Sequence, residues 1–367
     1  MFDRRLISNF DWVLFILTLS ISIWGIVIIY SATQGKAEHL SKLYITQIYW
    51  LLYGLLIMFL VILIDYHTLQ RSAYFIYAIV IIALILVLIF GRVISGAQRW
   101  LTIGSLSFQV SELAKVGVII ALARYFDDRR IIKKYRLRDL FVPAVITMIP
   151  FFLIAKEPDL GTSLIMVIIF ISMILMVNID PRSLAILIGC GILFLPTMWY
   201  FLKDYQRERL LTLINPEADP LGMGYHILQS KIAIGSGEFL GKGLFAGTQS
   251  RLNFLPEKHT DFIFSVLAEE MGFVGASILI ILYLILIIKG IDIIYHSRDR
   301  FGALLSVGIV CMLTSYIILN IGMTIGIFPI VGMPLPLMSY GGSSLVTTFI
   351  AIGILLNIRM RRFKIEG

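Results

Sequence analysis

The chain has 367 residues, of which 59% are hydrophobic and only 15% are charged, and its formal net charge is +8. Charged residues make up about a quarter of an ordinary soluble domain, so this composition excludes that class and indicates a protein that crosses a membrane several times. The basic excess is explained by cytoplasmic loops that meet anionic lipid headgroups, and no nucleic-acid signature accompanies it.

Apolar runs about as long as ~30 Å of hydrocarbon requires recur along the chain. The first run follows a basic start, but it is long for a cleaved signal peptide and is predicted to remain as a helix. About ten transmembrane helices are predicted, at Trp12–Tyr30, Ile45–Ile64, Ala73–Phe90, Ala114–Phe126, Leu140–Ile154, Thr162–Val177, Leu184–Phe201, Phe262–Lys289, Ala303–Ile325 and Ser344–Ile358.

Lys and Arg residues cluster in the short loops of one predicted face, beginning with Arg4 and Arg5 before the first helix. Further clusters follow the fourth and eighth helices and close the chain, so the positive-inside rule makes this face and both termini cytoplasmic. The resulting fold class is an all-α polytopic membrane protein formed by a single domain, residues 1–367. A large extracytoplasmic loop, at about 203–260, separates helices seven and eight.

The first polar cluster on the opposite face runs from Gly96 to Lys115 and contains two charges three residues apart, Glu112 and Lys115. Ser111 is the predicted N-cap of the helix that carries them, and their spacing puts both on one face, close enough to pair. They form either an ion pair at the membrane interface or a fixed pair lining a polar cavity. The cavity is favoured, because a lipid-facing helix needs neither charge.

A second cluster packs Lys156, Glu157 and Asp159 around Pro158, and Gly161 follows. Proline and glycine predict a tight turn between two helices. Two interpretations stay open: a solvated turn, or a contribution to a divalent-cation site whose ligand number the sequence does not define.

The long loop begins and ends with charged residues. Arg207 and Arg209 follow a helix end and either hold a pyrophosphate or extend to lipid headgroups. At the other end, Asp261, Ser265 and Glu269 fall on one face of the next helix. Asp261 is either a charge at the helix N-terminus or a general base for a sugar hydroxyl held beside it.

The last polar segment, Ile327–Ser344, has three prolines, several glycines and no charge. It is too broken to be helical throughout. Non-helical backbone at membrane depth is tolerated where it is buried in protein or lines a cavity, so a re-entrant segment is predicted before the last helix.

The ordered set GAQRW, SELAK, KEPDLGTS, LPEKHTDFIFSVLAEE and PLPLMSYGGSS resembles the SEDS family of cell-wall polymerases over essentially the whole chain. The short amino-terminal tail and PEKHTDFIF are more similar to the elongation branch than to the division branch. The resemblance implies a ten-helix peptidoglycan glycosyltransferase that polymerises lipid II on the outer face of the cytoplasmic membrane. It also implies a class B penicillin-binding protein and other elongation-complex proteins as partners.

By the same resemblance, Asp261 matches the family's essential acid, and Glu112 with Lys115 match its buried charge pair. The hypothesis is that Asp261 deprotonates the acceptor hydroxyl, which attacks the donor's anomeric carbon with inversion and releases undecaprenyl pyrophosphate. No metal ligand is assigned, and a divalent cation, Mg or Mn, stays open as a cofactor. The candidates for binding substrate or pyrophosphate are Arg99, Trp100, Lys156, Asp159, Arg207, Arg209, Gln249, Glu257, His259, Ser265 and Ser339.

Two alternative functions stay open. One is a lipid II flippase, in which the same charged cavity moves the lipid without chemistry, because intramembrane charges suit either task. The other is a non-catalytic scaffold for the penicillin-binding protein. The substitution Asp261→Asn discriminates, since only a base-dependent polymerase requires the carboxylate.

Overall fold

The computed structural model describes residues 9–34, 41–94, 97–103, 106–129, 134–219, 222–251, 254–255 and 257–362. Arg4 and Arg5, which contributed to the predicted orientation, lie outside these ranges. The helices are α1 (Trp12–Thr33), α2 (Leu43–Leu63), α3 (Tyr66–Arg71), α4 (Ala73–Phe90), α5 (Val110–Asp128), α6 (Phe141–Lys156), α7 (Leu160–Met176), α8 (Pro181–Phe201), α9 (Asp204–Ile214), α10 (Met223–Ser236), α11 (Thr248–Arg251), α12 (Ile263–Tyr295), α13 (Arg300–Thr324) and α14 (Gly342–Arg361), with 3₁₀ turns at Leu137–Leu140 and Pro216–Ala218.

Seven of the described helical segments are long and apolar enough to cross a membrane: α1, α2, α4, α6 with its preceding 3₁₀ turn, α12, α13 and α14. The helix α7 and the first part of α8 are apolar but shorter. These nine segments match nine of the ten predicted spans. The tenth, Ala114–Phe126, coincides with α5, so every predicted span overlaps a helix. The multi-pass helical class is therefore confirmed, while ten crossings remain a prediction.

The all-α prediction is wrong between α4 and α5, where the chain forms a three-stranded antiparallel sheet in the order β1-β2-β3. The strands are β1 (Arg92–Ile94), β2 (Ala97–Ile103) and β3 (Leu106–Gln109). Two residues, Ser-Gly and then Gly-Ser, separate successive strands, which is the commonest length of a hairpin connection. The sequence therefore carried a hairpin signal, and reading it only as a polar cluster missed it.

The predicted N-cap of α5 is also wrong. The helix begins at Val110, with Gln109 as its N-cap residue, and Ser111 lies buried inside the first turn. The reason is that β3 runs directly into α5. The backbone N–H of Gln109 donates to Ser343 Oγ at 2.9 Å, which fixes this junction against the start of α14.

The predicted loop at 203–260 contains three helices, α9, α10 and α11. Helix α10 packs on the start of α12. Ser230 Oγ of α10 lies 2.7 Å from Ser265 Oγ of α12 and donates to the carbonyl oxygen of Thr324 at 2.6 Å. Part of the segment is therefore folded against the helix bundle by buried hydroxyl groups.

Helix α12 is interrupted at Gly272, whose φ of 65° and ψ of −162° are outside the helical region and readily adopted only by glycine. The turn after α10 supplies hydrogen bonds at this break. The N–H of Lys242 donates to the carbonyl oxygen of Glu269 at 3.1 Å, and the N–H of Phe273 donates to that of Glu238 at 2.9 Å. The break is therefore closed by backbone from another part of the chain.

The chain between α13 and α14 is non-helical, as its prolines and glycines predicted, and most of its side chains from Met333 to Ser339 are buried. Gln47 of α2 donates from Nε2 to the carbonyl oxygen of Ser339 at 3.1 Å, and Tyr283 donates to that of Pro336 at 2.6 Å. This proline-rich segment, residues 325–341, is thus held inside the protein, and its re-entrant path stays a prediction.

Candidate active site

Asp261 lies in the turn that leads into α12, and its side chain is partly exposed. Its backbone N–H donates to the carbonyl oxygen of Glu257 at 3.1 Å, which closes the turn. The three consecutive carbonyls of residues 259–261 all accept hydrogen bonds, from Tyr340 N–H at 2.8 Å, Ser339 Oγ at 2.5 Å and Asn320 Nδ2 at 3.0 Å. The turn is therefore fixed to the proline-rich segment and to α13.

Asn320 is fully buried in α13, and its Nδ2 also donates to the carbonyl oxygen of Met333 at 2.6 Å. The neighbouring residue, Gly332, has a φ of +69°, and a Cβ built on it would lie 3.4 Å from Asp261 Oδ2. The carboxylate of Asp261 therefore faces a backbone position that carries no side chain. Sequence reasoning missed Asn320, although a polar amide within an apolar span is a signal of a buried contact or a functional site.

The environment of Asp261 shifts its protonation equilibrium. Burial raises the pKa of the Asp261 carboxyl to about 7, and the negative charge of Glu257 contributes to the increase. The positive charges of Arg209 and Arg99 act in the opposite direction. A carboxyl with a pKa near neutral pH is suited to accept a proton in general-base catalysis.

The turn between α6 and α7 also contributes to this site. Asp159 is buried and caps α7, since its Oδ1 accepts from the N–H of Thr162 at 3.2 Å and its Oδ2 accepts from Thr162 Oγ1 at 3.0 Å. Gln109 Nε2 donates to the same Oδ2 at 3.1 Å. The solvated-turn interpretation therefore does not fit Asp159 or the equally buried Glu157, and only Lys156 is exposed.

Arg99 reaches this turn from β2. Its Nε donates to the carbonyl oxygen of Glu157 at 3.0 Å, and its Nη2 donates to that of Pro158. These contacts use carbonyl oxygens, so they orient the guanidinium without neutralising it. The positive charge is close enough to Asp261 to oppose the increase in the pKa of that carboxyl.

The predicted pairing of Glu112 with Lys115 is present. Lys115 Nζ lies 2.8 Å from Glu112 Oε1, and both side chains are almost completely buried. Tyr316 of α13 donates from its hydroxyl to Glu112 Oε1 at 2.8 Å, and the Lys115 ammonium lies 4.3 Å from the centre of its ring. Both side chains are enclosed by protein, and their contacts join α5 to α13.

The two candidate arginines of the 203–260 segment differ in position. Arg207 donates to the carbonyl oxygens of Trp199 and Tyr200, both at 3.1 Å, and lies 3.6 Å from Asp204. It therefore holds the end of α8. Arg209 instead acts electrostatically on Asp261.

Three other candidates have structural contacts. The backbone N–H of Gln249 donates to the buried Glu269 Oε1 at 2.9 Å, so this residue helps to fix α11 on α12. The imidazole of His259 lies 5.8 Å from the ring of Tyr340. Trp100 pairs with Gln109 in the sheet.

An apolar crevice of about 430 Å³ lies beside the sheet. It is formed by α2, β2, β3, α5 and α14, and the sheet that borders it also carries Arg99. Its lining includes Trp50, Tyr53, Leu101, Phe108, Leu113 and Ile350.

Within the part of the chain that the structure describes, no group of three His, Cys, Asp or Glu side chains is arranged to hold a metal ion. Asp159 already accepts hydrogen bonds on both carboxylate oxygens. The described residues therefore form no metal site with three such ligands, and a Mg or Mn ion stays a prediction.

The fold and site define a polytopic helical membrane protein with a cluster of charged residues around one partly exposed carboxylate. Residues 11–364 match the family described as cell cycle protein, which comprises FtsW, RodA and SpoVE. The chain belongs to this family, the SEDS family.

Two relatives match along nearly their whole length. The peptidoglycan glycosyltransferase MrdB of Escherichia coli (strain K12) is 41% identical over 355 residues, covering 96% of this chain and 94% of the relative. The peptidoglycan glycosyltransferase RodA of Treponema pallidum (strain Nichols) is 34% identical, covering 98% of this chain and 99% of the relative.

Two solved structures share the fold. A chain from a peptidoglycan synthase complex, described as coordinating polymerization and crosslinking, matches with a TM-score of 0.84 and 33% identity, over 97% of this chain and 99% of the other. The rod shape determining protein RodA of Thermus thermophilus matches with a TM-score of 0.73 and 30% identity, over 97% and 98%.

Proposed function

We propose that this chain is a peptidoglycan glycosyltransferase that polymerises lipid II into glycan strands for cell elongation. Full-length similarity to two proteins named peptidoglycan glycosyltransferases supports the activity. The observation that carries the assignment of the site is Asp261, a half-buried residue whose carboxyl has its pKa raised to about 7 and lies near the charges of Arg99 and Arg209.

Asp261 is the proposed general base. Its carboxylate takes the proton from the acceptor's GlcNAc hydroxyl as the hydroxyl oxygen attacks the anomeric carbon of the donor MurNAc. The bond from that carbon to the pyrophosphate oxygen breaks with inversion, and the oxygen keeps the electron pair. Asn320 and Ser339 hold the backbone around Asp261, so they set the direction of the carboxylate.

Arg99 and Arg209 are proposed to stabilise the undecaprenyl pyrophosphate that leaves. Charge develops on the diphosphate as the bond breaks, and preorganised cations stabilise that state most where water is excluded. Arg99 suits this role because its contacts are with carbonyl oxygens. Lys115 is buried against Glu112 and Tyr316, so its proposed role is to position α5 and α13.

The lipid chain of the substrate requires an apolar path. The crevice beside the sheet is proposed to receive part of it, because aromatic and aliphatic side chains line it and Arg99 lies on the bordering strand.

Both termini are proposed to be cytoplasmic and the site extracytoplasmic, in the cytoplasmic membrane. A class B penicillin-binding protein and other elongation-complex proteins are the proposed partners, supported by the similar chain from a peptidoglycan synthase complex.

Polymerisation of purified lipid II by the purified protein with its class B penicillin-binding protein tests the proposal. Wild type, Asp261→Asn and Asp204→Asn are compared at equal folded concentration. Asp204 is the matched control, because its side chain is 95% exposed and lies in the segment that leads to Asp261.

Glycan strands from wild type and Asp204→Asn, with none from Asp261→Asn, are expected. Equal product from all three would remove Asp261 from the chemistry. No product from any, combined with lipid II translocation in sealed vesicles, would favour the flippase.

A further inference from the structure

The carboxyl group of Glu157 is a buried acid that takes no part in the proposed proton transfer or in stabilising the leaving group. Its side chain is 1% exposed, in the turn between α6 and α7. Neither carboxyl oxygen has a hydrogen-bond partner among the residues that the structure describes. Ionising such a group without a partner is strongly unfavourable, because it loses the solvation of water and gains no compensating contact.

The groups around Glu157 do not supply that compensation. Arg99 is the nearby cation from β2, but its guanidinium donates to the backbone carbonyl oxygens of Glu157 and Pro158. On the same turn, Lys156 is exposed and Asp159 is a buried negative charge. The proline-rich segment that packs on this turn through Met333 carries no charge.

These surroundings favour the neutral acid. Burial raises the pKa of the Glu157 carboxyl to about 8, and the negative charge of Asp159 contributes to the increase, while Arg99 opposes it. At neutral pH these surroundings favour the protonated side chain, which leaves the turn with one carboxylate charge rather than two.

We propose that Glu157 is a positioning residue that works as a neutral carboxylic acid, and that its proton leaves the positive charge of Arg99 available to the diphosphate of lipid II. This inference rests on the proposed function, which supplies the anionic substrate. Ionised Glu157 would place a second carboxylate beside Arg99 and offset the charge that attracts the diphosphate. Loss of the Glu157 proton therefore weakens substrate binding without changing the base.

The direction of the pH effect follows from the two carboxyl groups. Asp261 must be ionised, so activity rises as pH increases through about 7. Glu157 must be protonated, so substrate binding weakens as pH increases through about 8. The expected profile of kcat/KM is bell-shaped, with its alkaline limb caused by KM rather than by kcat.

The substitution Glu157→Gln tests this, because the amide has the shape of the protonated acid and cannot ionise. Initial rates of lipid II polymerisation are measured between about pH 6 and pH 9.5, with Asp204→Asn as the control. For wild type and the control, KM should rise by up to about tenfold per pH unit as the pH passes about 8, and it should level off once Glu157 is ionised. For Glu157→Gln this rise should be absent. Parallel KM profiles for wild type and Glu157→Gln would overturn the inference.

Infrared difference spectroscopy gives a second readout that does not require turnover. Wild type minus Glu157→Gln should show the C=O stretching band of a protonated carboxylic acid at neutral pH, and the band should disappear as the pH is raised past about 8. Absence of the band at neutral pH would overturn the inference. The two proposals fail separately, because equal product from wild type and Asp261→Asn contradicts the proposed base alone.

Discussion

The side-chain nitrogen of Asn320 donates to two carbonyl oxygens at once, that of Asp261 at 3.0 Å and that of Met333 at 2.6 Å. One buried amide thereby joins α13, the turn before α12 and the proline-rich segment. Asp261 and Gly332 are neighbours in space because this amide holds their two segments together.

Replacing Asn320 by Ala should lower kcat for polymerisation by about 10²-fold, the loss that a misplacement of about 1 Å can cause. It should also destabilise the protein by about 1–3 kcal/mol, because buried carbonyl groups lose their donor. Asn357→Ala is the matched control, since Asn357 donates to the carbonyl oxygens of Val61 and Ile62 on α2. The control should lose stability but keep kcat, and an equal loss of kcat in both would contradict the positioning role.

The acid limb of the pH profile should depend on the charges around Asp261. Removing a negative neighbour lowers the pKa of an acid and removing a positive neighbour raises it. Glu257→Gln should therefore move the limb to lower pH, and Arg209→Gln should move it to higher pH. The pH dependence of kcat/KM for the three proteins checks this. Shifts in the same direction would show that the limb does not report Asp261.

Gly332→Ala should reduce polymerisation about tenfold or more, because the added methyl group would lie 3.4 Å from Asp261 Oδ2, where the acceptor is proposed to approach. Its φ of +69° also strains alanine, by roughly 1–2 kcal/mol. Gly243→Ala separates the two effects, since Gly243 has a φ of +96° and nothing within 4 Å of its Cβ position. If Gly243→Ala loses as much activity, strain alone explains the result.

The buried charge pair should matter more for stability than an exposed one. Lys115→Ala leaves Glu112 buried without its cation and should cost about 3–5 kcal/mol. Arg124→Ala breaks a partly exposed pair with Asp128, at 2.7 Å, and should cost about 1 kcal/mol or less. Apparent melting temperatures in detergent compare them. A smaller loss for Lys115→Ala than for Arg124→Ala would contradict the stabilising role of the buried pair.

Local patterns in the sequence predicted the features that depend on local physics. Hydropathy located the spans, because lipid requires a continuous apolar helix. The spacing of Glu112 and Lys115 predicted their contact, because three residues are almost one helical turn. The prolines and glycines between α13 and α14 predicted a break in helical structure there.

The sequence did not reveal contacts between distant segments. Asn320 is 59 residues from Asp261, and no local pattern links an amide within an apolar helix to a carbonyl that far away. The role of Gln109 as N-cap of α5 depends on a strand that polar composition concealed. The proposed neutral state of Glu157 depends on which atoms Arg99 contacts, and those contacts exist only in the folded chain.

The interruption at Gly272 divides α12 into an outer rod before the glycine and an inner rod after it, and the turn after α10 is hydrogen-bonded to both. The outer rod, which follows the turn of Asp261, is bonded to Lys242 through both the carbonyl and the carboxylate of Glu269. The inner rod faces lipid with exposed residues such as Ile281 and Leu284. The N–H of Phe273 in the inner rod donates to the carbonyl oxygen of Glu238, so a tilt of this rod, as a thicker or thinner bilayer demands, also pulls on the turn after α10. The turn after α10 is therefore a mechanical connection between the lipid-thickness response of the inner rod and the helix that follows Asp261.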